Sequence, residues 1–135
     1  MGPTQRAFRR ISLAGFGLSL LVHVLQSTGL APDWGKCPVW LLAGVFLTGI
    51  PTVLAVAQAS RSHPDRFRWW AVLARAPLFD RFVTVLVFGY VLVNLELFAN
   101  GAYGPQQTDA NLVRMMSGHA LVFYWGYAML LREPV

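Results

Sequence analysis

The chain holds one cysteine, Cys37, and one lysine, Lys36. A single cysteine excludes an internal disulfide and a cysteine-ligated metal site. Charge is scarce as well: Asp, Glu, Lys and Arg make up 13% of 135 residues, against about 25% in average soluble domains. No phosphate-binding glycine loop, dinucleotide fingerprint, nucleophile elbow or H-E-x-x-H motif is present, so the common signatures of nucleotide, hydrolase and zinc chemistry are missing. There is no internal repeat or low-complexity stretch to suggest a solenoid or a linker. These absences point away from a soluble enzyme, a disordered tail and a small disulfide scaffold.

What the chain has is apolar length, with 56% hydrophobic residues. A bilayer core about 30 Å thick takes about 20 apolar residues in helix. Four runs qualify, at 11–31, 39–59, 82–100 and 111–131. Within them the only acidic residue is Glu96 and the only basic one is Arg114. They are continuous and too long for the strands of a transmembrane barrel. Pro32, Asp33 and Gly35 punctuate the chain after the first run, and Gly101, Gly104 and Pro105 after the third. Pro51 should kink the second span, leaving a carbonyl for a neighbouring helix to satisfy. Arg6, Arg9 and Arg10 ahead of the first run would also suit a signal peptide. That run is long for one, however, and no A-x-A site follows it.

Basic residues favour the cytoplasmic side of a membrane. Nine of the eleven fall on one side: Arg6, Arg9, Arg10, Arg61, Arg66, Arg68, Arg75, Arg81 and Arg132. Lys36 and Arg114 fall on the other. The expected fold is therefore all-α: one integral membrane four-helix bundle spanning residues 1–135, with up-down topology and both termini cytoplasmic. The formal charge of +5 then records topology, with anionic lipid headgroups as a secondary contact. It does not imply a nucleic-acid partner, because aromatic and polar readers are not grouped with the arginines. The loop 61–81 mixes Phe67, Trp69, Trp70, Val72 and Leu73 with arginines. It reads either as an interfacial amphipathic helix starting near Pro64 and Asp65 or as extensions of the flanking spans. The outer loops, 32–38 and 101–110, are too short to bury a core. Cys37 reads as a small filler near the outer interface, with an intermolecular disulfide as the alternative.

Polar groups inside a membrane are costly, so function concentrates around them. The candidate buried cluster is His23, Gln26, Asn94, Ser117 and His119, with Glu96 and Arg114 at the outer mouth and Tyr124 and Tyr127 further in. Counting helical rise from the outer ends places His23 about 10 Å deep, His119 about 12 Å and Glu96 about 6 Å. Ser12, Gly15, Ser19, His23 and Gln26 recur at steps of three or four and form one small-and-polar stripe. On the fourth span Met115, Met116, His119, Phe123 and Gly126 share a face. Asn94 and Glu96 stand about 200° apart on a helix, so Asn94 is expected inside and Glu96 outward or paired with Arg114. Two histidines at matching depth admit axial ligation of a b-type haem. The alternative is that each hydrogen-bonds a neighbouring helix, an Asn94–His119 contact being the expected central bond.

Two stretches carry a resemblance. Tyr90-Val-Leu-Val-Asn94-Leu-Glu-Leu-Phe98 resembles a Y-x-x-x-N-x-x-x-F run in a group of small, uncharacterised bacterial four-span membrane proteins. Arg114-Met-Met-Ser117-Gly118-His119-Ala-Leu-Val-Phe123-Tyr124 resembles that group's R-x-x-S-G-H-W-M-x-F-Y run. Together they cover under a fifth of the chain, and Ala120 and Glu96 depart from the pattern. The group carries no assigned activity, so the resemblance implies a membrane fold and singles out Asn94, Ser117, Gly118 and His119 without a mechanism.

The functional expectation is a multi-pass protein of the bacterial cytoplasmic (inner) membrane, not an enzyme, with no cofactor or metal. It would act as a structural or accessory component, associating with the lipid bilayer and with itself or another membrane protein. The alternatives are a haem-binding redox subunit using His23 and His119, and a small oligomeric transporter or channel with Glu96 and Arg114 at its mouth.

Overall fold

The computed structural model describes residues 3–30, 37–62, 69–102 and 109–132. Among these the chain forms five helices and no strand: α1 (Pro3–Ser27), α2 (Cys37–Ser62), α3 (Trp69–Arg75), α4 (Leu78–Ala99) and α5 (Asp109–Leu130). By length and composition α1 and α4 are each able to cross a membrane, and among the described residues α2 is apolar over Val39–Leu54. The apolar run of α5 is diluted by Asn111, Arg114, Ser117 and His119.

The helix ends follow local chemistry. Gly29 and Gly101 adopt positive φ, at 74° and 67°. That left-handed turn lets the Leu30 and Ala102 amides donate back to the Leu25 and Leu97 carbonyls, at 3.1 and 2.9 Å, which closes the ends of α1 and α4. Helix α2 continues through Pro51. The Thr48 and Thr52 hydroxyls close back onto the Gly44 and Thr48 carbonyls, at 2.8 and 2.7 Å, which satisfies them inside an apolar setting. Helix α1 starts at Pro3, so Arg6, Arg9 and Arg10 belong to it rather than preceding it.

The segment 61–81 holds two helix ends and a separate short helix. Helices α2 and α4 each extend into it, and α3 is a separate short helix between them. Its start near Pro64 and Asp65 lies outside the described residues. Arg81 holds the end of α3, donating from Nε to the Ala76 carbonyl at 2.8 Å and from its terminal nitrogen to the Ala74 carbonyl.

Helix α5 is the shared element, packing on α1, α2 and α4 and most extensively on α1. Contacts run in opposite order along α1 and α5: Phe16 meets Trp125, His23 meets Ser117, and Gln26 meets Arg114. The same holds for α4, where Thr84 meets Trp125 and Asn94 meets Gly118. Along α2 and α5 the order is the same, Gly44 at Tyr124 and Gly49 at Tyr127. Successive long helices therefore alternate in direction.

Two apolar clusters hold the packing. One is Val45, Ala120 and Tyr124, flanked by Phe16 and Tyr127. The other is Ala76, Trp125 and Met129, flanked by Leu13, Phe16, Val72, Val83 and Val87. Phe16 belongs to both and stacks obliquely on Trp125 with ring centroids 5.2 Å apart, a separation within the attractive range for aromatic pairs.

Candidate functional site

The small-and-polar stripe of α1 is the face laid against α5. Ser12, Ser19 and His23 are buried, and Gly15 admits the ring of Tyr124. Small side chains let two backbones approach; the Ser12 and Ser19 hydroxyls are buried there with no hydrogen-bond partner among the described residues.

His23 finds several. Its Nδ1 lies 3.1 Å from the Arg114 carbonyl oxygen and 3.0 Å from Ser117 Oγ. A carbonyl only accepts, so Nδ1 carries the proton. Ser117 is thereby free to donate its own hydroxyl to the Val113 carbonyl at 2.8 Å. In the neutral ring Nε2 is then the acceptor, and the Tyr90 hydroxyl stands 2.5 Å from it. The imidazole and phenol rings meet edge-on, with centroids 5.4 Å apart. One imidazole thus ties α1 to both α5 and α4.

Gly118 and Asn94 complete the site. A Cβ on Gly118 would stand 3.0 Å from Asn94 Nδ2 and 3.4 Å from His23 Cε1. Asn94 is buried, as its face predicted, and Glu96 is exposed and accepts from Asn100 Nδ2 at 3.1 Å. Arg114 turns to the Gln26 carbonyl at 3.4 Å, which links α5 to the end of α1. Tyr90, Asn94, Ser117 and Gly118, drawn from the two family-like stretches, meet around a histidine from a third helix.

The central histidine is His23, not His119. His119 is half-buried and its Nδ1 donates to the Met115 carbonyl of its own helix at 2.8 Å. Ser117, against which His23 packs, and His119 are two residues apart, about 200° around the helix. His23 therefore packs on one side of α5 while His119 projects from another, and both nitrogens of His23 are engaged. This geometry does not fit a haem held between His23 and His119. The face expected for span four also changes. Phe123 is exposed and Met115, Met116, His119 and Gly126 are half-buried, while Ser117, Gly118, Ala120, Leu121, Tyr124, Trp125 and Ala128 form the buried side.

Two aromatic side chains act as anchors, Tyr124, already among the polar candidates, and Trp125, which was not. Tyr124 slides between α1 and α2: a Cβ on Gly15 would stand 2.5 Å from its ring and one on Gly44 would overlap its hydroxyl. That hydroxyl donates to the Leu41 carbonyl at 3.1 Å. Trp125 donates from its indole nitrogen to Thr84 Oγ1 at 2.8 Å, and Thr84 donates to the Asp80 carbonyl at 2.7 Å. At the same end Asp80 pairs with Arg132.

Among the described residues no group of three or more His, Cys, Asp or Glu side chains is placed to hold a metal ion. Set beside known protein families, curated proteins and solved structures, the chain matches none.

Proposed function

We propose that the chain is a four-span integral protein of the bacterial cytoplasmic membrane, with both termini in the cytoplasm and a non-enzymatic, accessory role. The observation that carries the reading is an inverted distribution of polarity. Leu47, Val85 and Leu92 are 73%, 70% and 68% exposed, while Ser117 and Ser19 are 0% exposed and Asn94 is 3% exposed. In water such an apolar girdle would drive aggregation. In lipid it is the expected outer surface, with polar side chains turned inward. Helix α2 and the more polar α5 complete the set of four spans as members of a bundle rather than as isolated helices.

The polar side chains at its centre are spent on holding helices together: His23 on α4 and α5, Tyr124 on α2, Trp125 on α4. That supports a scaffold rather than a catalyst. The association surface is the outward side of α5, where Met115, Met116, His119 and Phe123 flank Gly126, beside which a Cβ would meet open space. Flexible methionines and a glycine suit close packing of another membrane helix. The resemblance to small bacterial membrane proteins agrees with this reading and adds no activity to it.

Carbonate extraction of membranes followed by mild-detergent purification tests it. The chain should stay in the membrane pellet, and the purified particle should exceed one chain in mass or carry a second membrane protein. Release by carbonate would overturn the membrane assignment. A uniform particle of one chain with no partner would overturn the accessory role.

A further inference from the structure

We infer that Arg9 and Arg132 form a binding site for the phosphate of an anionic glycerophospholipid headgroup at the cytoplasmic end of the helices. The inference rests on the membrane reading above. Three elements converge there: Arg9 from α1, Asp80 from the first turn of α4, and Arg132 just beyond α5. Asp80 pairs with Arg132. Burial, and then repulsion from Arg9, lower the pKa of the Arg132 guanidinium. The Asp80 carboxylate is matched by Arg132 while Arg9 stands near that pair, so the corner keeps an excess positive charge.

Arg9 supplies the second observation. Its Nε is buried and, among the described residues, has no hydrogen-bond partner. A charged donor withheld from water without an acceptor is costly. A phosphodiester offers what is missing: negative charge and oxygens matched to the planar fork of arginine. Arg81 at the same end is already committed to the Ala74 and Ala76 carbonyls. Arg6 and Arg10, exposed on α1, add attraction toward an anionic surface. The exposed Leu78, Phe79 and Phe82 at the start of α4 provide an apolar wall for the acyl chains of the same lipid. A free phosphate would use the arginines but not that wall.

The test uses the full chain in nanodiscs of phosphatidylcholine, with or without phosphatidylglycerol. Phosphatidylglycerol should raise the thermal midpoint and remain bound in native mass spectrometry. Arg9→Gln removes both the unpaired donor and the repulsion. In phosphatidylcholine alone its midpoint should equal or exceed that of the unaltered protein, which shows that it folds. Its retained phosphatidylglycerol should fall about tenfold, the scale of one lost charge-assisted hydrogen bond. Arg9→Lys, which keeps charge without the fork, should recover only part. Equal midpoints in the two lipids, full retention by Arg9→Gln, or the same stabilisation from inorganic phosphate would each overturn the site. A chain that never enters the nanodiscs would instead overturn the membrane reading.

Discussion

The ring of Tyr124 fills the space that any side chain at Gly15 would need: a Cβ built there stands 2.5 Å from ring carbon Cε1. The ring has no easy retreat. It is buried against Val45 and Ala120, and its hydroxyl is held by the Leu41 carbonyl. Gly15→Ala should therefore destabilise the protein by about 1–3 kcal/mol, as overpacking of a filled interior does. Gly17, two residues on, has nothing within 4 Å of its Cβ position. Gly17→Ala should be neutral or slightly stabilising, since alanine is the better helix former. Thermal midpoints in one detergent compare the two, and equal midpoints would remove the Gly15–Tyr124 contact from the account.

The two histidines should differ sharply on replacement. His23→Leu removes the hydrogen bonds that reach the Tyr90 hydroxyl and the Arg114 carbonyl, which lie on two other helices. A loss of about 1–3 kcal/mol is expected for two interhelical hydrogen bonds removed together. His119 bonds only within its own turn through Nδ1, so His119→Leu should cost less than about 0.5 kcal/mol, as surface substitutions do. Chemical denaturation in mixed micelles gives both values. If His119→Leu proves the more damaging, the central role has been given to the wrong residue.

Tyr90 and His23 should be energetically coupled. A double-mutant cycle with Tyr90→Phe and His23→Leu isolates their interaction. The coupling should be about 0.5–1.5 kcal/mol, the range for interhelical hydrogen bonds in membranes. Strict additivity would mean that the Tyr90 hydroxyl bonds elsewhere. The assigned tautomer has its own signature: a nitrogen-15 spectrum should show Nδ1 protonated and Nε2 bare.

Thr84 receives the indole N–H of Trp125, which is itself buried. Thr84→Val keeps the shape and removes the acceptor, so it should cost about 1–3 kcal/mol. Thr84→Ser retains the oxygen and should recover most of the loss. Similar values for the two variants would show that the methyl group, not the hydroxyl, matters.

Reporter fusions check the orientation. Alkaline phosphatase joined after residue 104 should be active, and after residue 66 inactive. A green fluorescent domain at the C-terminus should be bright. The reverse pattern would require the nine basic residues on one side to face outward, against the usual bias.

Much of the helical pattern is legible in the residues because apolar length is a local property of each segment. Four apolar runs in the sequence fall on four long helices, of which α1 and α4 are long and apolar enough to cross a membrane. The stripe Ser12, Gly15, Ser19 and His23 is visible for the same reason: its three- and four-residue steps put small groups on one face. That Asn94 and Glu96 take different faces follows from their angular separation, and the greater depth of Asn94 along the span makes it the inward one. The site is less legible. Tyr90 and Trp125 look like ordinary aromatic members of apolar runs, and only their partners on other helices reveal their hydroxyl and N–H as anchors. Ala120 departs from the resembling run, and here it is fully buried beside Tyr124.

The sequence by itself determined the helices and their apolar surfaces. These depend on composition and spacing within one segment, and the hydrophobic effect acts on each segment separately. The tertiary structure alone decided which histidine sits at the centre. His23 and His119 are matched in type and in estimated depth, so nothing local separates them. The separation comes from the rotation of α5 about its axis. Tyr124 seated between Gly15 and Gly44, and Trp125 turned to Thr84, set that rotation through contacts between distant parts of the chain. With α5 so placed, Ser117 faces α1 and His119 does not.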